Sequence, residues 1–431
     1  MKTSTLQYTM PAGLHAIPLT QLDLRPDSEI DEHLLNPPQV SSEKNVWFYW
    51  HAGYGNLYPY AKRNIRTWHR RLAPLGWTVR VVDVCESPRG AGHISNFLDT
   101  SDRSLFPHAF YKDTIDGEFR GQLTSDLTRF PLLLVHGGIY ADVSYLQIGD
   151  VDALWNTTVM NPNYPLTSCV TTSVGPTNRP GNLFLERCNQ LLLELWASDG
   201  GRTNSHGLLR HPLMREAPEL RLPKGPGLEI MDGMGKFEEL REKLSDYGIQ
   251  MLVMSLVIGL VDPETNWDGP GYAHKQMFAM DFSEDTALIE IMTGFDGPKA
   301  FRLMSLPLPK EGESESPDQV EARTLVENVL RRSFAVKMAH GPFQNIIGKT
   351  LGILWKENTG SDDVLGTYAH WLRHGMLYWT QDTLPTAPDY GLRKPFKTGP
   401  LLGVTGEELN SAPHSVMDSP HTRVDAESVL V

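Results

Sequence analysis

Apolar residues along this chain fall into two patterns, continuous β-rich runs and runs recurring every three or four positions, and the two alternate. Residues 45–50, NVWFYW, are an unbroken β-branched and aromatic run followed by the Gly-bearing loop HAGYGN, which predicts a strand buried on both faces. Residues 60–72 have helical spacing, and 77–84, WTVRVVDV, predict a second strand closing on Asp83. After a loop-rich region near 87–110 comes SDLTRFPLLLVHGGIYADVS, residues 125–144. Its apolar run from Leu132 to Val135 stops at His136, Gly137 and Gly138, so the segment predicts a helix, a glycine cap and turn, then a short strand at Ile139 and Tyr140. Ser125 suits an N-cap or the first turn of that helix, and Asp142 leaves the strand's end.

Downstream, 183–196 reads as an apolar-periodic helix, and 223–227 (PKGPG) and 267–272 (WDGPGY) as turn clusters. Residues 307–317, PLPKEGESESP, form an acidic, Pro-bounded linker. Leu325, Val326, Val329, Leu330 and Phe334 predict an amphipathic helix over 319–338, and another is expected within 355–378, entered through Gly360 to Asp363. No internal repeat is visible. The resulting division is a loosely ordered, Pro-rich arm at 1–44, a principal domain at 45–306, a linker at 307–318, a helical C-terminal part at 319–404 and a polar, mobile tail at 405–431. Alternating β and α segments imply an α/β fold with a mainly parallel mixed sheet and helices on both faces. Ligands of such sheets bind at the carboxyl ends of the strands, so the loop after Trp50 and the strand ends at Asp83 and Asp142 are expected to converge on one crevice.

Length changes this picture little: 431 residues suffice for a large core and two or three domains. The net charge of -13 argues against general nucleic-acid binding without excluding a local basic patch. Cys85, Cys169 and Cys188 are too few and too scattered for a disulfide framework or a zinc site. The N-terminus lacks an apolar core of signal-peptide length, and the longest apolar run, 251–261, is too short to span a bilayer. A soluble, cytoplasmic protein is therefore expected, with the sequon Asn156-Thr157-Thr158 unused.

Chemistry concentrates in the 125–144 segment. Asp126 and Arg129 lie one helical turn apart, where the carboxylate can accept hydrogen bonds from sugar or ribose hydroxyls and the guanidinium can neutralise phosphate. An ordinary surface ion pair is the plainer alternative. Asp142 with Ser144 makes a partial metal motif: hard divalent cations want oxygen ligands, and a neutral hydroxyl is the weaker of the two. Ser361, Asp362 and Asp363 precede a helix carrying Trp371 and Arg373, where Ser or Asp serves as an N-cap and helix starter and the lone arginine could hold a phosphate. Lys62, Arg63, Arg66, Arg70 and Arg71 form the one dense basic cluster, on a helix where a solvated face is the simpler account. His206 and His211 lack a ligand-like pattern. No GxSxG, P-loop, HExxH or dinucleotide fingerprint occurs at a usable position.

On these residues the segment resembles the core of sugar-transferring proteins with a nucleotide-diphosphosugar (GT-A type) fold: the capsular-polysaccharide-synthesis family, its fungal relatives and, more distantly, Och1-like mannosyltransferases and glucosylating clostridial toxins. The shared elements are Ser125-Asp126, Arg129, the Gly137-Gly138 turn and the strand-end Asp142, with NVWFYWHAG similar to the first strand. The resemblance covers roughly 45–375. It implies that Asp126 and Arg129 contact the sugar and Asp142 the metal and ribose. Trp50 would meet the base, with His51, Gly53, Asp83, Ser361, Asp362 and Arg373 also on the donor. It further implies a manganese or magnesium ion held through Asp142 and Ser144, the latter standing where similar proteins have a second carboxylate. The implied reaction is transfer of a sugar from a nucleotide-sugar donor to a small-molecule or glycan acceptor. Two rivals remain: a tRNA-dependent arginine-containing cyclodipeptide synthase on the same scaffold, with the basic helix receiving tRNA, and a binding module without turnover.

Overall fold

The computed structural model describes residues 8–86, 89–157, 166–169, 182–218, 245–280, 285–338, 348–386 and 392–402. The expected turn at 223–227, Thr158 of the sequon and the tail at 405–431 lie outside them. At the centre, β2 (Asn45–Tyr49) is flanked in parallel by β3 (Thr78–Val82) and β4 (Ile139–Tyr140). The unbroken apolar run of β2 has a direct physical reason. Trp47 and Tyr49 enter one core cluster and Val46 and Phe48 the other, so both faces are covered. The helix Pro59–Leu72 covers one face, where Trp68 meets Phe48 edge-on at 5.6 Å. The helix Arg120–His136 covers the other with Leu123, Leu127, Phe130 and Leu133. That helix starts earlier than the sequence suggests, so Ser125 lies inside it and is no cap. Pro131 removes one backbone donor mid-helix, yet the helix continues because Phe130, Leu132 and Leu133 are fully buried.

The remaining strands form small sheets rather than one. β1 (Leu14–Ala16) pairs with β11 (Trp379–Gln381), β5 (Tyr145–Gln147) with β10 (Ala335–Lys337), β6 (Leu166–Cys169) with β9 (Met277–Met280), and β7 (Leu260–Asp262) with both β8 (Trp267–Asp268) and β12 (Lys397–Thr398). The architecture is mixed helix and sheet, with parallel and antiparallel pairs. Three local expectations are corrected. Within the first 44 residues, where composition alone suggests a loose arm, β1 and the helix Asp27–Leu35 are built, with Ile30 and Leu34 buried. Residues 267–272 open a helix, Gly269–Gln276, because the Asp268 side chain accepts from the Gly271 amide. The 319–338 periodicity resolves into the helix Pro317–Arg332, started by a Ser316/Gln319 capping box, and then β10. No helix among the described residues is long and apolar enough to cross a membrane.

Candidate functional site

The glycine pair fixes where the site stands. Gly137 and Gly138 both have positive φ, and a Cβ on Gly138 would lie 2.4 Å from the Asn45 carbonyl, so the turn presses directly against β2. Trp47 Nε1 donates to the Gly137 carbonyl at 2.9 Å and locks the helix end to the sheet. After β4 the chain turns at Asp142, whose carbonyl accepts from the Tyr145 amide at 3.0 Å, and enters β5. Trp50, Asp83 and Asp142 thus all follow the carboxyl ends of parallel strands on one edge.

Asp126, Arg129 and Asp142 meet there. Arg129 Nη2 lies 3.4 Å from Asp126 Oδ1 and 3.2 Å from Asp142 Oδ1. Two residues not singled out by sequence reasoning complete the cluster. Gln250 accepts from Arg129 Nη1 at 2.8 Å and donates to the Asp126 carbonyl at 2.9 Å, while Lys337 Nζ reaches Asp142 Oδ2 at 2.7 Å. The guanidinium lies over the Tyr140 ring, 4.7 Å from its centroid, and the Tyr140 hydroxyl pairs with Ser125 Oγ at 2.7 Å. Arg129 is buried and its Nε has no hydrogen-bond partner among the described residues. Burial opposes its charge, but Asp126 and Asp142 outweigh that and hold it above its usual range. Burial pushes the Asp126 carboxyl up to about 6, with the Asp142 charge adding to the rise and Arg129 and Lys337 opposing it. Lys337 had one legible signal, a lone charge within the apolar strand FAVKM; Gln250, leading an equally apolar helix, had the same kind.

Beside this cluster, Trp50 is half-buried between His51 (ring centroids 4.9 Å apart) and Tyr58 (5.3 Å, edge-on). His51 lies against Gly121 at the start of the long helix; burial, then Arg120, lowers its pKa. Gly53 has positive φ, and a Cβ on either Gly53 or Gly92 would stand 3.1 Å from Asp83 Oδ2. Burial raises the Asp83 carboxyl, while the Cys85 amide, donating to Oδ1 at 3.0 Å, and His93 lower it. The C-terminal set stands at one remove. Asp362 is fully buried, its carboxylate shared by Arg63 and by Arg373 Nη2 at 2.6 Å, with Ser361 in the same short turn. A chain of aromatic contacts, Trp50 to Tyr58 to Tyr60 to Trp355, joins it to the strand edge, and Arg373 lies over the Trp355 ring.

The basic helix is committed internally. Arg66 binds Asp27 and Asp31, Arg70 binds Asp27, Arg71 donates to the carbonyls of Ile148, Gly149 and Met376, and Lys62 Nζ donates to Gly55. Pairing of this kind leaves no row of open cations for a nucleic-acid backbone.

A divalent cation fits this donor set poorly. Both Asp142 oxygens face cations, Arg129 and Lys337, and a divalent ion about 4 Å from one such unit charge is repelled by roughly 8 kcal/mol at an effective dielectric of about 20. Ser144 is 4% exposed and its carbonyl accepts from the Met338 amide just past β10, so the expected second ligand residue is buried. Among the described residues no group of three or more His, Cys, Asp or Glu could hold a metal ion.

No protein-family model and no solved structure matches the chain. Its sequence is 32% identical over 400 residues to O-glycosyltransferase braB of Annulohypoxylon truncatum, spanning 88% of this chain and 90% of that protein. It is 29% identical over 369 residues to glycosyltransferase afumC of Aspergillus fumigatus, spanning 82% and 88%. O-glycosyltransferase PaGT of Phomopsis amygdali is 27% identical over 393 residues, spanning 87% and 92%.

Proposed function

The chain belongs to the glycosyltransferase family of these fungal proteins, and from that membership we propose that it moves a sugar from a nucleotide-diphosphate donor to a hydroxyl of a small-molecule or glycan acceptor on a GT-A-type scaffold. The observation that carries the reading is the Asp126–Arg129–Asp142–Lys337 cluster beside the carboxyl ends of β2, β3 and β4. A hydroxyl acceptor is favoured by the names of two relatives, both O-glycosyltransferases.

In this reading Trp50 stacks on the base, and Asp83, with Gly53 and Gly92 lying against Oδ2, accepts a donor hydroxyl. Asp126 accepts from sugar hydroxyls, which fixes the anomeric carbon relative to the acceptor. Arg129, held from three sides by Gln250, Tyr140 and the two carboxylates, is preorganised to meet negative charge as it develops on the leaving group. Asp142 sets the positions of both cations. Asp142→Asn keeps the shape and removes the charge that orients them, so turnover is expected to fall about a hundredfold with little change in melting temperature. The check is release of free sugar from a panel of UDP- and GDP-sugars, read for wild type and variant. Wild-type turnover in the variant would sink the site, and silence of the wild type across the panel would sink the donor class.

A further inference from the structure

We propose that the Lys337 ammonium, together with Arg129, does here what a bound divalent cation would otherwise do: it neutralises the donor's diphosphate, so that donor binding and sugar transfer need no metal. The inference rests on the nucleotide-diphosphate reading above and goes beyond it, since it names the group that carries the charge.

Three observations lead there. Lys337 Nζ sits 2.7 Å from Asp142 Oδ2, on the carboxylate the metal motif would have used. The side chain of Lys337 is 29% exposed, so its ammonium, which carries three donors and accepts none, can turn one towards a bound oxyanion while staying beside Asp142. The antiparallel register sets Lys337 opposite Tyr145, and Met338 donates to the carbonyl of Ser144, so the strand that brings the lysine runs directly beside the residue that stands in place of the second carboxylate. A fixed ammonium makes that carboxylate unnecessary. Arg129 adds a second charge, with a buried Nε that has no partner among the described residues.

Transfer forms a bond from the acceptor oxygen to the anomeric carbon and breaks the bond from that carbon to the terminal diphosphate oxygen. The electron pair stays on the diphosphate, and the acceptor's proton passes to it. Negative charge on the diphosphate therefore grows until that proton arrives, which is where Lys337 and Arg129 act.

The test is calorimetric titration of UDP and of GDP into the full chain, once in EDTA and once with manganese chloride, for wild type, Lys337→Met and Lys337→Arg. Wild-type affinity should agree within about twofold between the two buffers. Lys337→Met should bind at least about tenfold more weakly in both, the size expected for a charge-assisted hydrogen bond, while Lys337→Arg keeps most of the affinity. A wild type that loses tenfold or more in EDTA overturns the proposal and leaves the donor reading standing. Wild-type affinity in Lys337→Met overturns it as well. Binding of neither nucleotide in either buffer removes the donor reading and this proposal with it. Should Lys337→Met fail to fold, as read by near-ultraviolet circular dichroism, the wild-type buffer comparison and Lys337→Arg still decide.

Discussion

Asp126 and Asp362 illustrate opposite uses of a low-dielectric setting. Burial alone would raise both carboxyls. At Asp362 the close guanidiniums of Arg373 and Arg63 outweigh it, so the group titrates below the ordinary range; its stabilisation is present above the ordinary carboxylate pKa and is lost as pH falls. At Asp126 a single guanidinium at 3.4 Å, shared with Asp142, is too little, and the carboxyl rises to about 6. The folded chain then holds a proton more tightly there than the unfolded chain, so this group lowers stability as pH climbs from about 4 to about 6. The size is about 3 kcal/mol, from the gap between about 6 and 3.8 at 1.36 kcal/mol per pH unit. Asp126→Asn should remove that component, seen as a urea midpoint whose slope against pH across this window is more positive than in the wild type. A variant with the wild-type slope would place the titration on another group. Retaining such a carboxyl despite its cost to the fold is what a ligand-facing acceptor would do.

Among the elements, those whose pattern is local were legible in the sequence: β2 and β3 from their apolar runs, and the long helix with its glycine turn from residues 125–144. Asp126, Arg129 and Asp142 were legible for the same reason, since one helix and one strand end carry all three. Lys337 and Gln250 were not, because their partners lie far away in sequence and a single polar residue in an apolar run announces no partner. The glycine turn allows a sharp check. At Gly138 (φ 95) an added Cβ would meet backbone at 2.4 Å, whereas at Gly76 (φ 85) nothing lies within 4 Å. Gly76→Ala should cost about 1 kcal/mol, the conformational penalty alone. Gly138→Ala must also push β4 from β2 and should cost at least about 2 kcal/mol more, with lost donor turnover because Asp142 moves with β4. Equal chemical-denaturation midpoints for the two variants would mean that the turn can relax freely.

At the scale of the molecule, the acidic segment 307–317 marks a change of composition, but contacts run across it in both directions. β10, beyond it, pairs with β5 and delivers Lys337; β11 pairs with β1; and one core cluster joins Tyr60, Leu146 and Ile148 to Val326, Leu330, Val336 and Met376. Such pairings are long-range, so no local pattern in the sequence reports them. Contacts of this kind predict that the two sides of the segment behave as a single cooperative body around one site. Lys310 to Ser314 is an exposed turn, the Glu313 amide donating to the Lys310 carbonyl, and is therefore the natural place for a protease to cut. After such a nick the pieces should still run together as one peak in gel filtration and melt in one transition. Nucleotide affinity should remain near that of the intact chain, because Lys337 is still held by β5 and by Asp142. The N-terminal piece expressed alone should show no cooperative melt, having lost the helices that bury Tyr60, Leu146 and Ile148. Pieces that separated in native buffer and melted independently would instead make the acidic segment a true domain boundary, and Lys337 would then reach Asp142 only by docking of one domain on the other.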